Sequence, residues 1–115
     1  MTGYQNLTVW QKALHISQMV YRLTSTYPKD QKFGLSSQMQ RAAVSIMSNI
    51  AEGSKRSENE WYHFIRIALG SAAELESQLI LAKSLHFGVY DEYKPIMNEL
   101  GHVSRILQSI ASKKH

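Results

Sequence analysis

The sequence predicts an all-α fold, an antiparallel up-down-up-down four-helix bundle with residues 1–115 forming a single domain. Three observations point there. Apolar residues recur at helical spacing almost throughout, and no segment sustains the alternation of a half-buried strand. Prolines stand only at Pro28 and Pro95, and together with Gly53 and Gly88 they cut the pattern into four stretches. A chain of 115 residues supports one core and is too short for two. Its 43% apolar content can fill that core, which excludes a disordered chain.

The first helix is predicted from about Val9 to Ser25. Thr8 and Gln11 have capping-box spacing, in which the hydroxyl and the amide satisfy unpaired N–H groups. Trp10, Ala13, Leu14, Ser17, Val20, Tyr21 and Thr24 fall on one face, and Lys12, His15, Met19 and Arg22 on the other. Tyr27-Pro28-Lys29-Asp30 reads as a turn, because proline disfavours helix at the residue before it. The second helix is predicted from about Leu35 to Glu52, with a stripe of Leu35, Met39, Ala42, Ala43, Ile46 and Ile50. Gly53 and Ser54 are expected to end it, leaving Lys55 and Arg56 in the bend.

A third helix opens at Ser57 and Glu60, a second capping box, and continues to about Leu85. Trp61, Phe64, Ile65, Ala68, Ala72, Leu75, Leu79 and Ala82 form its stripe, and Gly88 closes the turn that follows. The fourth helix begins between Asp91 and Lys94, with Pro95 in a first turn that tolerates a missing N–H. Ile96, Leu100, Val103, Leu107 and Ile110 line its inner face. Lys113 and Lys114 suit the negative end of its dipole.

Composition removes several function classes. The absence of cysteine excludes disulfides, thiolate zinc sites, iron–sulfur clusters and cysteine nucleophiles. No apolar run approaches the roughly 18 residues of a membrane helix. Met1 to Gln11 has neither a charged start nor an apolar core, so a secretory signal is not expected and the cytoplasm is the expected compartment. There is no phosphate-cradling glycine loop and no Gly-x-Ser-x-Gly elbow. No cofactor is expected.

The formal charge of +4 is unevenly spread. From Met1 to Arg56, seven bases face two acids, a net of +5. From Ser57 to His115, six bases face seven acids, a net of −1. A basic half of this kind suits a polyanionic partner, most often nucleic acid. The second helix also carries a second apolar side: Val44, Met47 and Ala51 lie about 100–160° from Ile46. On the third helix Gly70, Ala73 and Ser77 oppose the core and permit close backbone approach. A surface that is small, neutral and partly apolar, where a monomeric bundle would be charged, reads as a subunit interface. A wide core stripe on a centrally buried helix is the alternative.

Gln38-Met39-Gln40-Arg41-Ala42-Ala43-Val44-Ser45-Ile46, followed by Asn49-Ile50-Ala51-Glu52-Gly53, resembles the four-helix-bundle family encoded by intervening sequences within bacterial 23S rRNA genes. Ile67-Ala68-Leu69-Gly70-Ser71 with Glu74-Leu75-Glu76 matches its third helix, and Leu7-Thr8-Val9-Trp10-Gln11-Lys12-Ala13 fits its opening. The fourth helix matches only in pattern. Met47 and Ser48 stand where relatives commonly have a proline and a small residue, which should alter local packing. The resemblance implies a bundle that assembles as a ring-like homopentamer. It also brings in the accessory protein of diversity-generating retroelements, which is basic, binds nucleic acid and partners a reverse transcriptase.

The candidate nucleic-acid contacts are Lys12, Arg22, Lys29, Lys32, Lys55 and Arg56, with His15 on the same face as Lys12. The loop lysines and the bend pair fall at opposite ends of an antiparallel bundle, so one subunit scatters its charge and only a ring would gather it into a collar. Tyr27 and Phe33 either stack on bases beside Lys29 and Lys32 or cap the core. Arg41, Ser45, Ser48, Asn49 and Glu52 make a polar strip expected to form structural hydrogen bonds or intersubunit ion pairs. Glu76 lies within about 60° of the core direction set by Trp61, so a partner is expected, Arg41 or Lys83.

No catalytic residue is expected. Glu60 with His63 and Glu99 with His102 have the Glu-x-x-His spacing of di-iron bundles, but the first helix has no acid to complete such a site. Arg56 and His63 loosely resemble the Arg–His pair of HEPN-type bundle ribonucleases, in which histidine serves as acid or base and arginine steadies the phosphate.

Overall fold

The structure, a computed structural model, describes residues 3–113. Four α-helices account for most of them: α1 (Thr8–Thr24), α2 (Leu35–Ser54), α3 (Glu58–Ser84) and α4 (Tyr93–Ala111). Each packs on its neighbours in chain order, and α4 closes the ring against α1. This is the expected up-down-up-down bundle. Short 3₁₀ turns at Tyr4–Asn6, Lys29–Gln31 and Tyr90–Glu92 precede α1, α2 and α4.

One continuous core draws on all four helices, with Ile16, Leu23, Met39, Ile46, Ile50, Ile65, Leu75, Leu79, Ile96 and Leu107 fully buried. The α1 stripe is turned from its expected position. Met19 is buried and Tyr21 is 50% exposed, while Val9, Ile16 and Leu23 join the core. The cause is α4, which covers α1 from the side opposite α2, so that Met19 lies beside Pro95 and Ile96. The start of α1 also differs. Leu7 is the N-cap and no side chain caps the helix, so Thr8 and Gln11 form no capping box; Gln11 Nε2 donates instead to the Gln5 carbonyl at 2.8 Å.

Gly53 does not end α2. It is buried inside the last turn, where an added Cβ would stand 2.8 Å from Phe64 Cβ and 3.1 Å from Trp61 Cε3. The glycine is there because α3 crosses at backbone distance. Small residues continue that seam, with Ala42 and Ser45 on α2 against Ala68, Ser71 and Ala72 on α3, and a 2.8 Å hydrogen bond joining the Ser45 and Ser71 hydroxyls. The α3 cap forms as expected, Glu60 N–H donating to Ser57 Oγ at 3.3 Å.

Glu76 is exposed, contrary to its expected burial. A helix seam slips by about 20° per seven residues, so two heptads beyond Trp61 the core direction has rotated away and Glu76 stands about 100° from it. Gly88 does close the α3–α4 turn, at φ +71°, and packs on Thr26 and Tyr27 of the α1–α2 connection. Pro95 lies in the first turn of α4. Lys113 falls just beyond the last turn, and Lys114 lies outside the described residues.

Candidate nucleic-acid interface

The six candidate cations divide into two groups. Lys12 and Arg56 are held by carboxylates. Lys12 Nζ donates to Glu99 Oε1 at 3.1 Å, fastening α1 to α4, and His15 Nδ1 lies 3.5 Å from the other oxygen. The Lys12 ammonium holds the Glu99 carboxyl below the usual carboxylate range in spite of partial burial, and His15 adds to the effect. Arg56 Nε donates to Glu52 at 2.8 Å, and its Nη1 lies 3.5 Å from Glu60. Arg22, Lys29, Lys32 and Lys55 are exposed and make no ion pair with any described residue. Lys32 lies over the Phe33 ring at 5.5 Å and Lys55 over the Tyr4 ring at 5.7 Å.

These cations are not one patch on a subunit. Lys29 and Lys32 sit before α2 and Lys55 after it, separated by a helix of 20 residues, about 30 Å. Tyr27 and Phe33 part company. Tyr27 is buried, and its hydroxyl lies 2.8 Å from that of Tyr93. The Tyr93 proton goes to the Phe87 carbonyl, also at 2.8 Å, so Tyr27 is the donor to Tyr93. Burial first, and then this donation, push the Tyr27 phenol above its usual range. Phe33 is 91% exposed. Of the two expected stacking rings, Tyr27 belongs to the core and Phe33 to solvent.

The expected interface residues also divide. Val44, Gly70 and Ala73 are exposed, and the space where a Gly70 Cβ would project is open. Met47 turns toward α1, where Ser17 Oγ donates to its sulfur at 3.4 Å, and it packs against the core. Met47 therefore leaves the proposed outer stripe, while Ala51 stays half-buried at its edge. The same side of α3 carries exposed Ile67, Ile80 and Leu81, which the sequence reading did not single out. Their signal was available, since each lies well away from the direction of Leu75 and Leu79 at 100° per residue.

Ser45 and Asn49 of the polar strip hydrogen-bond within the subunit, Asn49 Nδ2 donating to the Ser45 carbonyl at 2.8 Å. Arg41 lies exposed beside Glu74 in the α2–α3 groove. His63 and Arg56 both rest on the Phe64 ring, at 5.3 and 5.6 Å, but the guanidinium is engaged by Glu52 and Glu60. The Glu99 carboxylate of the second Glu-x-x-His pair is engaged by Lys12, and among the described residues no group of three His, Asp or Glu side chains could hold a metal ion. No helix of the described residues is long and apolar enough to cross a membrane.

The topology and the small-residue α2–α3 seam define the class, an antiparallel all-α four-helix bundle. Within that class the chain belongs to the 23S rRNA-intervening sequence protein family, whose model matches residues 5–109. It is similar to a solved protein of unknown function from the S23 ribosomal protein family of Bacteroides thetaiotaomicron. The two share 26% identity at a TM-score of 0.81, over 93% of this chain and 100% of the other. No curated protein matches the chain.

Proposed function

We propose that the protein is a non-enzymatic, cytoplasmic nucleic-acid-binding protein that recognises RNA through phosphates and works as an oligomer or as an accessory to a nucleic-acid enzyme such as a reverse transcriptase. The observation that carries this reading is the unpaired state of Arg22, Lys29, Lys32 and Lys55. Cations without carboxylates keep their potential for a polyanion, whereas Lys12 and Arg56 have theirs partly cancelled. The family's name, which links it to 23S rRNA, supports RNA over other polyanions. Phosphate contacts predict salt-sensitive, weakly sequence-specific binding, with log affinity falling by about 0.7–0.9 per log salt for each phosphate neutralised. Retention of a structured RNA should therefore weaken steeply with salt, and Arg22→Glu combined with Lys55→Glu should abolish it near physiological ionic strength. Retention unchanged by that double reversal would overturn the surface.

Self-association, with a homopentamer as the expected form, is the second part of the proposal. It is supported by exposed Val44, Gly70 and Ala73 and by exposed Ile67, Ile80 and Leu81 on the same side of α3. Val44→Asp should lower the light-scattering mass to that of one 13.1 kDa chain while leaving helicity intact. The same exposed apolar side favours a purely structural oligomer, which an unaltered assembly with no RNA retention at any salt concentration would identify.

A further inference from the structure

A surface cavity of about 600 Å³ opens where α1 ends and α2 begins, within the usual range for small-ligand sites. Its wall combines Ser25 of the connection, Lys29, Lys32 and Phe33 before α2, and Ser36 and Ser37 in the first turn of α2. The N-cap of α2 is Gly34, and no side chain caps the helix. The first N–H groups of a 20-residue helix, at its positive dipole end, are thus left for a ligand to satisfy. A second feature at the same place is independent of the helix end. Ser36 is only 6% exposed and lines the cavity, yet its side chain makes no hydrogen bond to any described residue. The residue is packed in, but its hydroxyl is not closed off from solvent, so an unpartnered donor and acceptor is held at the cavity wall. Two lysines free of carboxylates flank it, and Phe33 offers a solvent-facing ring with no core to pack against.

We propose that this cavity binds a nucleotide, its phosphate at the first turn of α2 with Ser36, Lys29 and Lys32, and its base stacked on Phe33. The parts match the ligand one for one. Helix N–H groups, a hydroxyl and ammonium groups complement a phosphomonoester, and an aromatic face complements any base. A free nucleotide and the phosphorylated end of a strand share this chemistry. Only the strand-end form rests on the nucleic-acid reading above.

The test is an amide-shift NMR titration of the full chain with adenosine 5′-monophosphate, adenosine, and a short oligoadenylate with and without a 5′-phosphate. Adenosine monophosphate or the phosphorylated strand should shift the Leu35, Ser36 and Ser37 amides saturably, with adenosine and the 5′-hydroxyl strand at least about tenfold weaker. Tighter binding of the phosphorylated strand assigns the site to strand ends, and tighter binding of the mononucleotide assigns it to free nucleotides. Phe33→Ala should weaken binding by about tenfold through lost stacking. Ser37→Asp places a carboxylate where the helix dipole favours it, so the fold is kept while the phosphate is repelled and the shifts vanish. Shifts that adenosine reproduces at equal strength, that fall outside the first turn of α2, or that persist in both variants overturn the site. Shifts that persist in Arg22→Glu/Lys55→Glu, when that variant still retains RNA, sink the wider surface and leave this site standing. RNA retention with no shift from any probe sinks the site alone.

Discussion

At one end of the bundle Tyr27 donates to Tyr93, Tyr93 donates to the Phe87 carbonyl, and Gly88 packs on Tyr27. At the other end α2 turns into α3 within three residues, Gly53 lets the helices touch, and Arg56 lies between Glu52 and Glu60. The first end is joined by buried neutral hydrogen bonds across connections of ten and eight residues. The second is joined by close backbone packing with exposed ion pairs on top. The difference bears on function. Where carboxylates fasten the fold, they also cancel the cations beside them, as at Arg56 and Lys12. Where tyrosines fasten it, Lys29 and Lys32 keep their charge for a partner.

The largest effect is expected of Gly53→Ala. The added methyl group meets the Phe64 Cβ, which belongs to a helix that cannot swing aside without opening the α2–α3 seam. Overpacking of this kind should cost about 1–3 kcal/mol in urea unfolding. Gly70→Ala, whose methyl enters open space on the same helix pair, should instead stabilise the single subunit by up to about 1 kcal/mol. Equal effects at the two glycines would mean that the seam is not what demands Gly53.

The next effect belongs to the tyrosine end. Tyr93→Phe removes the oxygen acceptor of Tyr27, leaving its buried hydroxyl only the weak Met39 sulfur acceptor at 3.6 Å, and removes the donor to the Phe87 carbonyl. The expected loss is about 1–3 kcal/mol, with faster hydrogen exchange at Phe87 and Gly88. A variant with wild-type stability and protection would show that the relay does not hold the two connections together.

These sites also mark what a sequence can disclose. The four helical stretches, the Ser57–Glu60 cap, the Gly88 turn and the place of Pro95 were all legible, because each depends on residues within one or two turns of each other. Gly53 was misread as a terminator because its reason is Phe64 on another helix, and the local signal for a helix end and for a close crossing is the same residue. Met47 turned inward for a hydroxyl 30 positions away on α1. Glu76 escaped burial because the seam drifts, which a fixed 100° projection ignores. For the candidate surface, the sequence supplied the right cations without their state. The Lys12–Glu99 pair spans 87 positions and separates a structural lysine from the unpaired ones. Phe33 and Tyr27, both aromatic and six residues apart, differ only in which of them the α3–α4 connection covers.

The smallest effect distinguishes, by pH, the tyrosine end from the ionic fastening of α1 to α4. Glu99 has a lowered pKa in the folded chain, chiefly because Lys12 donates to it. Its contribution is fully present above the ordinary glutamate value of about 4.3 and is lost as pH falls through the lower folded value. Tyr27 and Tyr93 have raised values, chiefly through burial. Their contribution is present below the ordinary tyrosine value of about 10 and is lost as pH rises through the folded values. Thermal unfolding should therefore decline on both sides, from two different fastenings of the fold. Glu99→Gln should flatten the acid limb while costing about 0.5 kcal/mol near neutrality, and should leave the alkaline limb alone. Tyr27→Phe should shrink the alkaline limb to what Tyr93 contributes and leave the acid one. If a single substitution moved both limbs, the ionic fastening of α1 to α4 and the tyrosine fastening of the connections would be one coupled network rather than two.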